Sequence, residues 1–258
     1  SGTNITFGTP VVLKSAAGSF TSAQYDPDEN KTLIAYQNTS GSPYQSGLCR
    51  VCTTNGTSLS LGSELTFEAA SIEKIDSTYD TSSNKVILAY INKTSAYGVI
   101  QTATISGNNA SFGTGKDFEN VDYLNVVYDP NSNKSILIFK NLADNRAQAR
   151  VTTLSGTTFS LGGLYNISGE TVYHVTAAMD TNSNKIVVAY NYDSPSTNGY
   201  SKVGTVSGTA TSWGSEVQFN TGETTYADSV FDSNSNKIVL TYRDAGNSYY
   251  GTAIVGRR

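Results

Sequence analysis

The sequence predicts an all-β fold of five four-stranded units that close into a ring, and three observations predict it. One phrase recurs five times at nearly constant spacing, a second recurs in the same register, and the composition favours strands and turns over helices. Of the 258 residues, 38% are hydrophobic and 15% charged, both below globular averages. Ser (33), Thr (32), Asn (23) and Gly (23) fill the deficit, beside 17 Tyr and abundant Val and Ile. These are the residue types of turns and strands.

The first phrase is an aromatic or Met, Asp, three mostly small polar residues, Asn, Lys, then an apolar run ending in an aromatic. It reads YDPDENKTLIAY from Tyr25, YDTSSNKVILAY from Tyr79, YDPNSNKSILIF from Tyr128, MDTNSNKIVVAY from Met179 and FDSNSNKIVLTY from Phe231. Its lysines (Lys31, Lys85, Lys134, Lys185, Lys237) are spaced by 54, 49, 51 and 52, and continuing through the C-terminus back to Lys31 gives a further 52. The second phrase reads NGTSLSLG from Asn55, SGNNASFG from Ser106, SGTTFSLG from Ser155 and SGTATSWG from Ser207. Its fifth copy stands at the other end of the chain, as SGTNITFG from Ser1. The last unit is therefore predicted to combine three strands from the C-terminus with an outermost strand at residues 3–13.

Within a unit the first strand ends at the Asp (residues 225–231 in the fifth), and an Asp/Asn loop turns the chain back. The second strand is apolar at nearly every position, residues 186–190 being IVVAY, which predicts burial of both faces. The third passes through residues 203–206 and the fourth through 213–219. Helical periodicity is absent. Four-stranded units that repeat and close predict a five-bladed β-propeller, one domain over residues 1–258. The net charge of −4 without a basic run argues against a nucleic-acid partner. The longest apolar run, residues 86–91, is too short for membrane insertion.

Turns between strands one and two, and three and four, are nearly uniform and share one face. The connections on the opposite face vary, and a rigid scaffold usually carries function there. Candidate ligand-binding residues follow from that face: Tyr44 in SGSPYQS, Tyr97 in TSAY, and Tyr192 and Tyr200 about DSPSTNGY. Arg243, Asp244, Asn247 and Tyr249 come from RDAGNSYY. The position six before each Asp holds Phe20, Lys74, Tyr123, His174 and Tyr226; it begins each inner strand, which adds Tyr123, His174 and Tyr226 as lining of an axial mouth. Tyrosine stacks on sugar C–H faces, and Tyr and Arg also anchor protein interfaces; tyrosines packed at blade edges are the plainer alternative.

Tyr36, Tyr90, Phe139, Tyr190 and Tyr242 end the apolar runs and read as core, and Trp213 aligns with Phe7, Leu61, Phe112 and Leu161 as a packing residue. Cys49 and Cys52 share one extended strand, roughly 10 Å apart and facing opposite ways, which predicts free thiols. The Asp-x-Asn-x-Asn loops at Asp129, Asp180 and Asp232 resemble the start of a calcium loop. All carry Lys where such a loop needs Gly, so a hairpin turn and no metal is the reading. Inner-strand carboxylates (Glu73, Asp76, Asp122, Asp228) are the candidates for glycosidase chemistry. With a single His and no catalytic-serine motif, no catalytic residue and no cofactor is assigned.

The units, such as FDSNSNKIVLTYRDAGNSYYGTAIVG from Phe231, resemble repeats in tail, fibre and other virion-surface proteins of bacteriophages, marine phages especially, over the whole chain. That resemblance implies a virion-surface or extracellular setting and a role in attachment or assembly. By architecture the chain is also similar to five-bladed propeller lectins of the tachylectin-2 type, whose Trp-rich signature it lacks. The resulting expectation is a non-enzymatic adhesion module that binds a glycan, or a host-surface or virion protein, through its varied loops. The alternatives are a structural virion assembly or decoration protein and a propeller glycosidase.

Overall fold

Each Asp of the recurring phrase bonds to the backbone of the turn that follows it. Asp26 Oδ1 accepts the N–H groups of Asp28 and Glu29 at 3.0 and 3.2 Å, and Asp80 Oδ1 those of Ser82 and Ser83 at 2.9 and 3.0 Å. Asp180 and Asp232 do the same in their units and Asp129 accepts the N–H of Asn131, and all three also accept a Ser hydroxyl. The Asn before each Lys then takes a left-handed φ, between 51° at Asn30 and 55° at Asn184, which Asn tolerates better than most residues. Lys31, Lys134 and Lys185 reach across to the hydroxyls of Thr53, Thr153 and Thr205 at 2.6, 2.9 and 2.7 Å. The phrase is thus a self-contained hairpin, its carboxylate committed to the turn.

A computed structural model describes residues 5–193 and 197–257. These hairpins build antiparallel sheets in chain order. Sheet one holds β1 (Gly18–Asp26), β2 (Lys31–Asn38), β3 (Gly47–Asn55) and β4 (Ser58–Glu68). Sheet two holds β5 (Ile72–Asp80), β6 (Lys85–Asn92), β7 (Tyr97–Ser106) and β8 (Asn109–Phe112), with β9 (Lys116–Asp117) also on β7. Sheet three runs β10 (Val121–Asp129), β11 (Lys134–Asn141), β12 (Arg146–Ser155) and the first part of β13 (Thr158–Asp180). The rest of β13 is the first strand of sheet four, which continues through β14 (Lys185–Tyr192), β15 (Gly199–Ser207), β16 (Ala210–Trp213) and β17 (Val217–Asn220). Sheet five holds β18 (Thr224–Asp232), β19 (Lys237–Asp244) and β20 (Tyr250–Gly256), with a short 3₁₀ turn at Ala245–Asn247.

Successive sheets pack face to face. Leu33, Val51, Val86 and Leu88 join sheets one and two; Ile87, Ile100, Leu137 and Phe139 join two and three. Ile138, Val151, Val188 and Tyr190 join three and four, and a smaller cluster of Ala178, Val187, Ile238 and Leu240 joins four and five. The middle strands β6, β11 and β14 are therefore buried on both faces, as their unbroken apolar runs predict, whereas β19 alternates because one of its faces has no neighbour. Cys49 and Cys52 are fully buried free thiols; burial pushes the Cys49 thiol up to about 12.

The recurring Gly of the second phrase also has a spatial cause. A Cβ at Gly62 would fall 2.6 Å from the carbonyl oxygen of Asn108 in the next sheet's turn. Gly113 and Gly162 meet the carbonyls of Thr157 and Thr209 in the same way. Gly8 stands in this relation to Thr57 of sheet one, so the N-terminal segment occupies the place of an outermost strand from a preceding unit. Leu13 O accepts from Arg50 Nε at 2.7 Å and Lys14 pairs with Glu64 at 3.3 Å.

The expected strand at residues 3–13 does not form: its described part, residues 5–13, is non-strand, Thr3 and Asn4 lie outside the described residues, and sheet five has three strands. The segment is tied to sheet one instead of to β20. Among the described residues no core cluster joins sheet five to sheet one, and apolar groups of the N-terminal segment and of β20 are open, Phe7 at 85% and Val255 at 61%. The five sheets form an arc.

Candidate functional site at the axial mouth

Four inner strands break register at one shared point: β1 between Ser19 and Ser22, β5 between Glu73 and Ile75, β10 between Asp122 and Leu124, β18 between Thr225 and Asp228. There Phe20, Lys74, Tyr123 and Tyr226 take left-handed φ values of 47°, 48°, 48° and 52°. For side chains of this size that backbone costs roughly 1–2 kcal/mol each. Such a bulge re-aims its side chain. In β13 the break comes one residue earlier, between Val172 and His174, so Tyr173 is the unpaired residue and His174 remains in the ladder.

These bulges deliver residues from all five sheets to one axial cavity of about 250 Å³, lined by Phe20, Lys74, Tyr123, His174, Ala227 and Asp228 among others. Lys74 Nζ lies 5.4 Å from the Phe20 ring and 4.6 Å from that of Tyr123. His174 packs 4.1 Å from Tyr123, 4.5 Å from Tyr173 and 5.2 Å from Tyr226. Lys140 sits over Tyr173, and the Arg243 guanidinium stands 5.0 Å from Tyr226 and 5.1 Å from Tyr249. His174 is only 6% exposed, and neither ring nitrogen has a hydrogen-bond partner. Burial, then Lys74, Lys140 and Arg243 in that order, lowers its pKa to about 4, so the ring is neutral near pH 7.

Below the mouth a polar ring links neighbouring inner strands. Ser22 and Ser77 hydroxyls meet at 2.6 Å, and those of Thr176 and Ser229 at 3.2 Å. Asp76 accepts from the N–H of Ser77 and of Val126 at 2.8 Å each and from Asn125 Nδ2 at 3.3 Å. Burial raises the Asp76 pKa against those hydrogen bonds, which favour the carboxylate. Among the described residues no group of three His, Cys, Asp or Glu side chains could hold a metal ion. A second hollow of about 220 Å³ opens beside Tyr226, between sheets four and five, lined by Tyr173, Asn191, Asp193, Thr197, Glu223 and Arg243 among others.

Of the sequence-derived candidates, the structure brings Tyr123, His174, Tyr226, Arg243 and Tyr249 together. Tyr192 and Tyr200 pack against each other at 4.8 Å and against the core Tyr190, with the Tyr190 and Tyr192 hydroxyls both donating to Glu216. Theirs is a packing role at the edge of sheet four, and residues 194–196 of the adjoining loop lie outside the described residues. Tyr44 is exposed in the loop between β2 and β3, and Tyr97 is exposed at the start of β7, both away from this cluster. Asn247 lies in the 3₁₀ turn, and Asp244 is turned in beside Gly222 and Gly246. Sequence reasoning missed Lys140 and Tyr173. Lys140 occupies the slot of Gln37, Ile91, Asn191 and Arg243 in the repeat, so the one charge-bearing pair in a variable column was its signal. Tyr173 depends on the shifted bulge, for which the sequence carries no sign.

No family model and no curated protein sequence matches the chain. Solved structures share the fold at low identity. AofleA from Arthrobotrys oligospora superposes with TM-score 0.60 at 10% identity, covering 92% of this chain and 68% of its own. An exo-β-1,3-galactanase from Phanerochaete chrysosporium, solved with galactose, gives 0.56 at 7% identity, covering 86% of this chain and 55% of the enzyme. The Dos1 propeller gives 0.53 at 11% identity, with coverages of 94% and 70%. This chain therefore spans little more than half of the galactanase, and all three are likenesses of an all-β, propeller-type fold.

Proposed function

We propose that the chain is a five-bladed propeller that acts as a non-enzymatic binding module, recognising a glycan at the axial mouth and the adjoining hollow between sheets four and five. One observation carries the reading: all five inner strands line a single cavity with a rim of rings and cations, and Phe20, Lys74, Tyr123 and Tyr226 are held there on strained backbone. Aromatic faces with nearby polar donors suit sugar rings, and a galactanase solved with galactose is among the structures sharing the fold. In this reading the setting is extracellular or on a virion surface. A glycan array tests it, with Tyr226→Ala expected to weaken binding at least tenfold; silence on the array, with capture of a protein from host-envelope material, would replace the glycan by a protein partner.

A second reading, hydrolysis of a glycoside, is favoured by Asp76, a buried carboxyl with a raised pKa, facing the charge of Asp228. Against it, two of the three hydrogen bonds to Asp76, from Asn125 and Val126, tie β5 to β10 and leave the group holding strands together. Release of reducing sugar, abolished by Asp76→Asn or Asp228→Asn, would establish hydrolysis.

A further inference from the structure

We propose that the ligand of the axial mouth is an acidic saccharide, its carboxylate or sulfate held by Lys74, Lys140 and Arg243 while its ring lies against Tyr123, Tyr173 and Tyr226. This deepens the glycan-binding reading above and rests on it. The chain carries a net charge of −4, yet three cations from three different sheets converge on one histidine. Lys74 comes from the bulge of β5; Lys140 and Arg243 occupy equivalent register positions opposite Asp122 of β10 and Thr225 of β18. All three stack on rings, and none has an ion-pair partner among the described residues, where the salt bridges use Lys14, Arg50, Lys93 and Arg150 instead.

Asp193 and Glu223 line the adjoining hollow with Arg243, and the carboxylates nearer the mouth have contacts of their own. Asp122 accepts the Tyr123 N–H at 2.9 Å, Asp228 that of Ser229 at 2.8 Å, Asp76 is bonded three times, and Glu73 pairs with Lys93 at 3.4 Å. Every charged group that acts on His174 is positive. Three like charges brought together repel one another, and an arriving anion reduces that repulsion. His174 adds a buried imidazole, neutral and unpartnered on both nitrogens, at the cavity wall; as a neutral ring it offers one donor and one acceptor to sugar hydroxyls. A carboxylated sugar and a sulfated sugar present the same chemistry to these groups, so both belong in the test.

The experiment is an array of matched probes: a neutral oligosaccharide, its uronic- or sialic-acid-bearing counterpart and its sulfated counterpart, with hits titrated at about 50 and 300 mM salt. The full chain is compared with Lys74→Met, Arg243→Met and the control Lys116→Gln, and melting temperatures establish that each variant folds. At least one acidic probe is expected to bind tenfold or more tighter than the neutral parent and to weaken with salt. Lys74→Met and Arg243→Met should each cost about tenfold for that probe and little for the neutral one, and Lys116→Gln should change neither. Equal binding of neutral and acidic probes, or acidic binding indifferent to both variants, overturns this inference and leaves the glycan reading standing. Binding to no probe overturns both. Which acidic arm responds identifies the anionic group.

Discussion

His174 is buried among three rings and three cations, which makes its protonation a stability variable. An unfolded chain protonates this histidine near pH 6.5, whereas the folded state holds it neutral down to about 4. The unfolded state therefore binds the extra proton first, and folding stability is lost as pH falls from about 6.5 toward 4, by at most about 3 kcal/mol. Between pH 6.5 and 5, above most carboxylate titrations, His174→Phe is expected to flatten the slope of denaturation midpoint against pH; an unchanged slope would place the histidine in water. The strained backbone gives a second residue-scale expectation. At Phe20, with φ 47°, Gly should be more stable than Ala by about 1 kcal/mol, the reverse of ordinary strand behaviour. Chemical denaturation of the two variants decides it.

At the scale of the element, the hairpin of the Asp–Asn–Lys phrase was legible because its chemistry is local: the turn N–H and hydroxyl groups that the Asp accepts lie within three residues. Asp129→Ala removes an acceptor from a turn in which that residue is 2% exposed, and a loss of about 1–3 kcal/mol is expected. Asp232→Ala, at the exposed turn of sheet five, should shift the melting temperature less. The recurring Gly of the second phrase was visible as a pattern, but its cause was not. It answers to a carbonyl about 45–50 residues away in the next sheet, as Gly62 answers to Asn108, and no local rule encodes such an approach. The bulges at Phe20, Lys74, Tyr123 and Tyr226 were foreseen only as a column of large residues, since β-branched or aromatic composition says nothing of a register break.

At the scale of the whole molecule, the open seam sets the expectation. Removing residues 1–14 deletes the contacts of Leu13 and Lys14 with Arg50 and Glu64, so a lower melting temperature is expected whatever the segment does elsewhere. If the segment also pairs with β20, the outward amides of that strand should exchange slowly in the full chain and rapidly after the removal. Rapid exchange in both would mean that the ring stays open in solution. The exposed valines Val230 and Val255 on sheet five are the surfaces that closure would cover.

The sequence by itself determined the strands, their turns, the repeat length and the doubly buried middle strand, because hydrogen bonding within a hairpin and the period of apolar residues act over a few neighbours. It also marked a column of large residues at the start of each inner strand. It placed that column at an axial mouth; tertiary structure alone decided that Lys140 and Tyr173 join it, that Tyr192 and Tyr200 are spent on packing, and that the N-terminal segment is anchored on sheet one. Those outcomes depend on the curvature between sheets and on a one-residue shift of a bulge, both set by contacts between units that no single repeat contains.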